Sequence, residues 1–65
     1  MKVEKLSNGQ YQATHKNLTL TQTVTNGHRF NDCTVFDGNY YELISEDDER
    51  MKPLFIELHN FKCNE

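Results

Sequence analysis

A small antiparallel β domain, all-β or β-rich α+β, with five to six short strands in a sheet or barrel-like meander, is the architecture expected of this chain. Three features carry that expectation. Leu18 to Thr25 (LTLTQTVT) alternates with a period of two, setting Leu18, Leu20 and Val24 on one face and Thr19, Thr21, Thr23 and Thr25 on the other. Asp37-Gly38 separates two β-rich runs, Cys33 to Phe36 and Tyr40 to Ile44, which is a strong short-range hairpin signal. Asn8-Gly9 and Asn26-Gly27 place turn chemistry between the remaining strand-like runs, because both residue types accept positive φ.

The chain has 65 residues, and no repeat, linker or low-complexity tract divides it, so it reads as one domain over residues 1–65. A chain of this size buries only about 60% of the surface it exposes when unfolded, and its core is thin. Hydrophobic residues make up 35% of it, but seven aromatics (Tyr11, Phe30, Phe36, Tyr40, Tyr41, Phe55 and Phe61) bring large area per residue, which favours a folded chain over a disordered one.

In chain order, Met1 to Leu6 is expected as a first strand, Ser7-Asn8-Gly9 as its turn, and Tyr11 to His15 as the return. Lys16-Asn17 makes a brief break before the Leu18 strand, whose threonine face reads as a solvated sheet surface. In the central hairpin a three-residue loop, Asp37-Gly38-Asn39, is expected, with Asn39 left-handed. That register pairs Val35 with Tyr41 and Cys33 with Leu43 on the apolar face and turns Glu42 outward. Ser45 followed by acids fits a capping box, so one helical turn is expected near residues 46–51, stopped by Pro53. Leu54 to Phe61 is ambiguous. Strand alternation gathers Leu54, Ile56 and Leu58; helical spacing gathers Leu54, Leu58 and Phe61 and leaves Ile56 out. The strand is the expectation adopted.

Ten acidic against seven basic residues give a net charge of -3, which argues against tight binding to a nucleic-acid backbone and suits a basic partner. No apolar run approaches the roughly 18 residues of a membrane span, and the start MKVEKLSNGQ lacks the core of a secretion signal. A cytoplasmic location is the corresponding expectation.

The most chemical-looking set is His28, Cys33, His59 and Cys63, two imidazoles and two thiols of the kind that hold tetrahedral zinc. A Cys33–Cys63 disulfide is the other way these cysteines could staple a thin core, and two free thiols are the reading preferred for a reducing compartment. No metal or cofactor site is therefore assigned. Neither a pairing of Cys33 with a histidine nor one of Asp37 with the acids at Glu46 to Glu49 has an orienting third group at readable spacing, and the three glycines stand apart rather than forming a phosphate loop, so the chain is read as non-catalytic.

The expected function is protein binding through an acidic surface and exposed sheet edges, with Glu46, Asp47, Asp48, Glu49, Tyr40 and Glu42 as the binding residues. At the level of class, a tiny acidic chain without motifs is like the small viral or mobile-element inhibitors of host enzymes and defence complexes. A small β barrel stacking single-stranded nucleic acid or RNA on Tyr40, Phe55 and Phe61 near His28 and Arg29 is an alternative, as is a zinc-stabilised interaction domain. Pairing of two copies through an edge strand would enlarge the core.

Overall fold

Five strands follow one another in space in the order in which they occur in sequence, and one helix closes over one face of the sheet they make. In the computed structural model, which describes residues 1–65, the strands are β1 (Lys2–Ser7), β2 (Gln10–His15), β3 (Leu18–Thr25), β4 (His28–Phe36) and β5 (Tyr41–Leu43). Every neighbouring pair is antiparallel, and the sheet is open, with β1 at one edge and β5 at the other. It does not close into a barrel. A 3-10 turn (Glu49–Met51) runs into the helix α1 (Lys52–Cys63). No helix is long and apolar enough to cross a membrane.

The turns behave as their residues dictate. Asn26 and Gly27, at φ 53° and 79°, form the two-residue connection between β3 and β4, a backbone twist that suits two-residue hairpins. Lys16 at φ 56° helps make the connection after β2. The φ of 81° at Gly9 accompanies an extra residue in β1, where the register slips between Lys5 and Ser7.

The alternation of β3 is realised as expected. Leu18 and Leu20 are buried, and Ala13 and Cys33 lie directly opposite Leu20 on its two neighbours. The inner face thus carries Tyr11, Ala13, Leu18, Leu20 and Cys33, while Thr19, Thr21 and Thr23 line the uncovered outer face. There Thr21 and Thr23 take bonds from Gln12 and Gln10 at 3.1 and 3.4 Å.

The segment expected as a strand, Leu54 to Phe61, is helical instead. Met51, Leu54 and Leu58 are buried, with Phe55 and Phe61 packed beside them, and Ile56 is left 59% exposed. Helical spacing therefore governs this segment. Pro53 does not stop a helix but begins one, occupying the first turn, where its missing N–H has no partner to lose. The physical reason is the sheet itself: its apolar inner face must be covered, and a helix with one apolar stripe covers it where a sixth strand at the edge could not.

The central hairpin also differs from expectation. Phe36 pairs with Tyr41, Val35 with Glu42 and Thr34 with Leu43, so the loop has four residues, Asp37 to Tyr40, rather than three. The left-handed residue is Gly38, φ 105°, and not Asn39. The cause lies in Asp37. Its carboxylate accepts from the backbone N–H of Asn39 and Tyr40 at 2.8 and 2.7 Å, and its own N–H donates to the Tyr40 carbonyl at 3.0 Å. Those bonds satisfy one more residue inside the loop and hold the Asp37 pKa below the usual carboxylate range. One residue of slip reverses every side chain beyond it.

Candidate protein-binding site at the β5 edge

The reversal decides what β5 shows to solvent. Tyr41 and Leu43 point to the outer face, 71% and 77% exposed, and Tyr40 in the loop is 76% exposed. Tyr41 leans on Phe36 of β4, ring centroids 4.8 Å apart and tilted by 42°. Alternation of antiparallel hydrogen bonding turns the backbone groups of Glu42 toward β4 and those of Tyr41 and Leu43 toward the open edge. Each of these two residues offers both a large side chain and an unclaimed main chain. Glu42 shares the side of the sheet with Val35, but α1 rests over β1, β2 and β3, so the carboxylate stays exposed.

After β5 the chain turns inward at Ile44, whose N–H donates to the Cys33 carbonyl at 3.0 Å and whose side chain packs on the core. The acidic run then divides into two kinds of residue. Asp48 is structural: its carboxylate caps the 3-10 turn by accepting the Arg50 N–H at 2.9 Å, and it holds the guanidinium by bonds of 3.0 and 2.9 Å. These bonds pull its pKa down to about 2 and raise that of Arg50. Glu49 pairs with Lys52 at 3.2 Å. Glu46 and Asp47 are exposed and make no ion pair. The cap belongs to Asp48 rather than Ser45, whose Oγ instead accepts from the Asp47 N–H at 3.1 Å in a local turn.

The acids gather at one end of the β4–β5 edge. Burial pushes the Cys33 thiol pKa up, and the neighbouring charges of Glu46, Asp32 and Asp48 push it further. Glu42 in turn lies close enough to Arg50 to help keep it charged. Of the residues expected to bind a partner, Glu42, on the opposite side of β5 from Tyr41 and Leu43, and Glu46 and Asp47, exposed on the turn that follows β5, form an acidic rim, Tyr40 stands on the adjoining loop, and Asp48 and Glu49 are paired with cations of their own chain. Phe36, Tyr41, Leu43 and Asp32 adjoin this rim on the outer face of β4 and β5, outside the set of binding residues expected from sequence. The Asp37 turn was the signal that could have found them, since its loop length sets the parity of β5.

Two other constellations are not assembled. Of the zinc candidates, His28 and Cys33 occupy opposite faces of β4, and only His59 and Cys63, one helical turn apart with Nε2 and Sγ separated by 3.5 Å, come together. Both cysteines are free thiols, Cys33 buried and Cys63 exposed. The stacking platform fails as well: Phe55 and Phe61 pack into the core from α1, Phe61 edge-on to Tyr11 at 6.3 Å, on the far side of the sheet from the exposed rings. Comparison with known proteins finds no family model, no curated protein and no solved structure that matches this chain.

Proposed function

We propose that this chain is a non-catalytic protein-binding module that uses the β5 edge as its anchor and the adjoining carboxylates for orientation. The observation that carries the reading is the outward placement of Tyr41 and Leu43, with open main-chain groups, on a short edge strand. Only eight apolar residues of the chain are buried, so leaving its large side chains outside costs a thin core area that a partner could restore. An extended segment of the partner adds to the edge by main-chain bonds, its side chains meet Phe36, Tyr41 and Leu43, and its basic flank meets Glu42, Glu46 and Asp47. A basic surface is what nucleic-acid-handling enzymes present, so inhibition of such a host enzyme or defence complex is the role to which this chemistry is suited.

The experiment is affinity capture from a lysate of the source cell with the unaltered chain, with Leu43→Lys and with Glu46→Lys/Asp47→Lys, at low and at high salt. A specifically retained protein that Leu43→Lys loses and that the double reversal or salt weakens supports the reading. Equal retention by all three chains would remove this edge from the account. Concentration-dependent dimerisation that Leu43→Lys abolishes would identify a second copy of the chain as the occupant.

A further inference from the structure

Away from the acidic rim, the inner face of the sheet opens beside α1 into a cleft of about 120 Å³ lined by Gln22, Arg29, Phe55, Leu58, His59 and Lys62. The helical members fall at positions 55, 58, 59 and 62, one continuous stripe of α1, and Gln22 of β3 and Arg29 of β4 complete the lining, at a stretch of β4 that β5 does not pair with. Phe55 and Leu58 form an apolar floor, and no carboxylate lines the space.

The charges make the cleft distinctive in an acidic chain. Of the seven lysines and arginines, Lys2, Lys5, Arg50 and Lys52 are held by carboxylates of the protein, which leaves Lys16, Arg29 and Lys62 without one. Two of those three meet in this one cleft. Lys62 is positioned: its Nζ donates to Gln22 Oε1 at 2.8 Å and lies 5.2 Å over the Tyr11 ring. Gln22, only 6% exposed, is fixed from its other end by donating to Asn31 Oδ1 at 2.9 Å. An ammonium has three donors, so Lys62 keeps two after this bond, and the planar fork of Arg29 is suited to a pair of oxyanion oxygens.

We infer that this cleft binds a phosphate group, held between the Arg29 guanidinium and the Lys62 ammonium over the Phe55–Leu58 floor. A phosphate monoester carries about -1.5 to -2 charges near neutral pH, which matches two unpaired cations where a carboxylate would match one. The volume lies well under the roughly 300 Å³ of sites for drug-sized molecules, so only the phosphate and the first atoms attached to it enter. The apolar floor excludes water from one side of the ion pairs and strengthens them. The overall charge of -3 does not forbid this, because charges farther off than about 8 Å are largely screened at physiological salt. The site is separate from the β5 edge and does not depend on what that edge binds.

The test is a two-dimensional amide and arginine side-chain NMR titration at constant ionic strength, with inorganic phosphate in one arm, phenyl phosphate in a second and acetate in a third. Saturable shifts confined to Gln22, Arg29, His59 and Lys62 are expected, with at least tenfold weaker binding in Arg29→Gln and unchanged binding in Lys16→Gln. Tighter binding of phenyl phosphate identifies a phosphorylated organic molecule as the source; equal binding identifies the free ion. Because Lys62→Gln also alters the Gln22 contact, Arg29→Gln, at an exposed residue without an intramolecular bond, is the deciding variant. Non-saturating shifts, shifts shared equally by Lys16, or binding untouched by Arg29→Gln would overturn the assignment.

Discussion

Arg50 folds back over Asp48 so that its guanidinium and its own backbone N–H all bond one carboxylate, two residues earlier in the chain. A single acid thus caps the 3-10 turn that launches α1 and neutralises the cation beside it. Since the Asp48 pKa is drawn down to about 2, and an unfolded aspartate titrates near about 3.9, its contribution to stability is present above pH ~4 and is lost as pH falls through about 2. Asp37, lowered by its turn bonds, acts in the same direction. Thermal melts should therefore weaken across that acid window, and Asp48→Asn should flatten the decline. A carboxyl 13C titration placing Asp48 near 4 would show that the cap is not formed.

The helical placement of residues 54–61 predicts an unequal mutational pattern. Leu54→Ala and Leu58→Ala, both at buried positions, should each destabilise by about 2–5 kcal/mol, a large part of the stability of so short a chain. Ile56→Ala, at an exposed position, should stay within about 0.5 kcal/mol. Urea denaturation measures all three, and a strand would have made Ile56 as costly as its neighbours.

Two turn glycines should respond differently to alanine. At Gly27, φ 79°, the added Cβ meets nothing, and the cost is the left-handed strain of about 1–2 kcal/mol. At Gly9, φ 81°, the Cβ would stand 2.8 Å from the Val24 carbonyl oxygen, and the strand cannot easily withdraw because the Val24 N–H donates to the Gly9 carbonyl at 2.8 Å. Gly9→Ala should lower the melting temperature clearly more than Gly27→Ala. Equal losses would show that the β1–β2 turn does not close against β3.

The thiols should separate by rate. Cys63 is exposed at the end of α1, whereas Cys33 is buried, and burial together with nearby carboxylates opposes its ionisation. A neutral-pH reaction with a chromogenic disulfide should show one fast thiol, removed by Cys63→Ser, and one that reacts only on unfolding. Two fast phases would mean that the edge beside Cys33 opens readily.

The strands are legible wherever alternation and turn residues agree. Leu18, Leu20 and the threonines of β3 take the faces that their spacing assigns, and Asn8-Gly9 and Asn26-Gly27 turn where they stand. The helical turn expected near residues 46–51 is present as Glu49–Met51, with its cap moved from Ser45 to Asp48. Pro53 is ambiguous in sequence because proline ends a helix from inside and begins one from its first turn, and nothing local separates those cases. On the proposed binding surface, Glu42, Glu46, Asp47 and Tyr40 are exposed, and the outward facing of Tyr41 and Leu43 follows from a loop of four residues where three are expected.

Local chemistry alone therefore settles the antiparallel β character of the chain, the sites of its turns and the sidedness of its longest alternating strand, because each depends on neighbours two or three residues away. Tertiary packing decides that Leu54 to Phe61 wraps as a helix and that Arg29 and Lys62 meet across a cleft. The helix and the cleft rest on which surface needs cover, which is defined only once the sheet has formed, whereas the facing of Tyr41 and Leu43 rests on a loop that the Asp37 carboxylate closes two and three residues along.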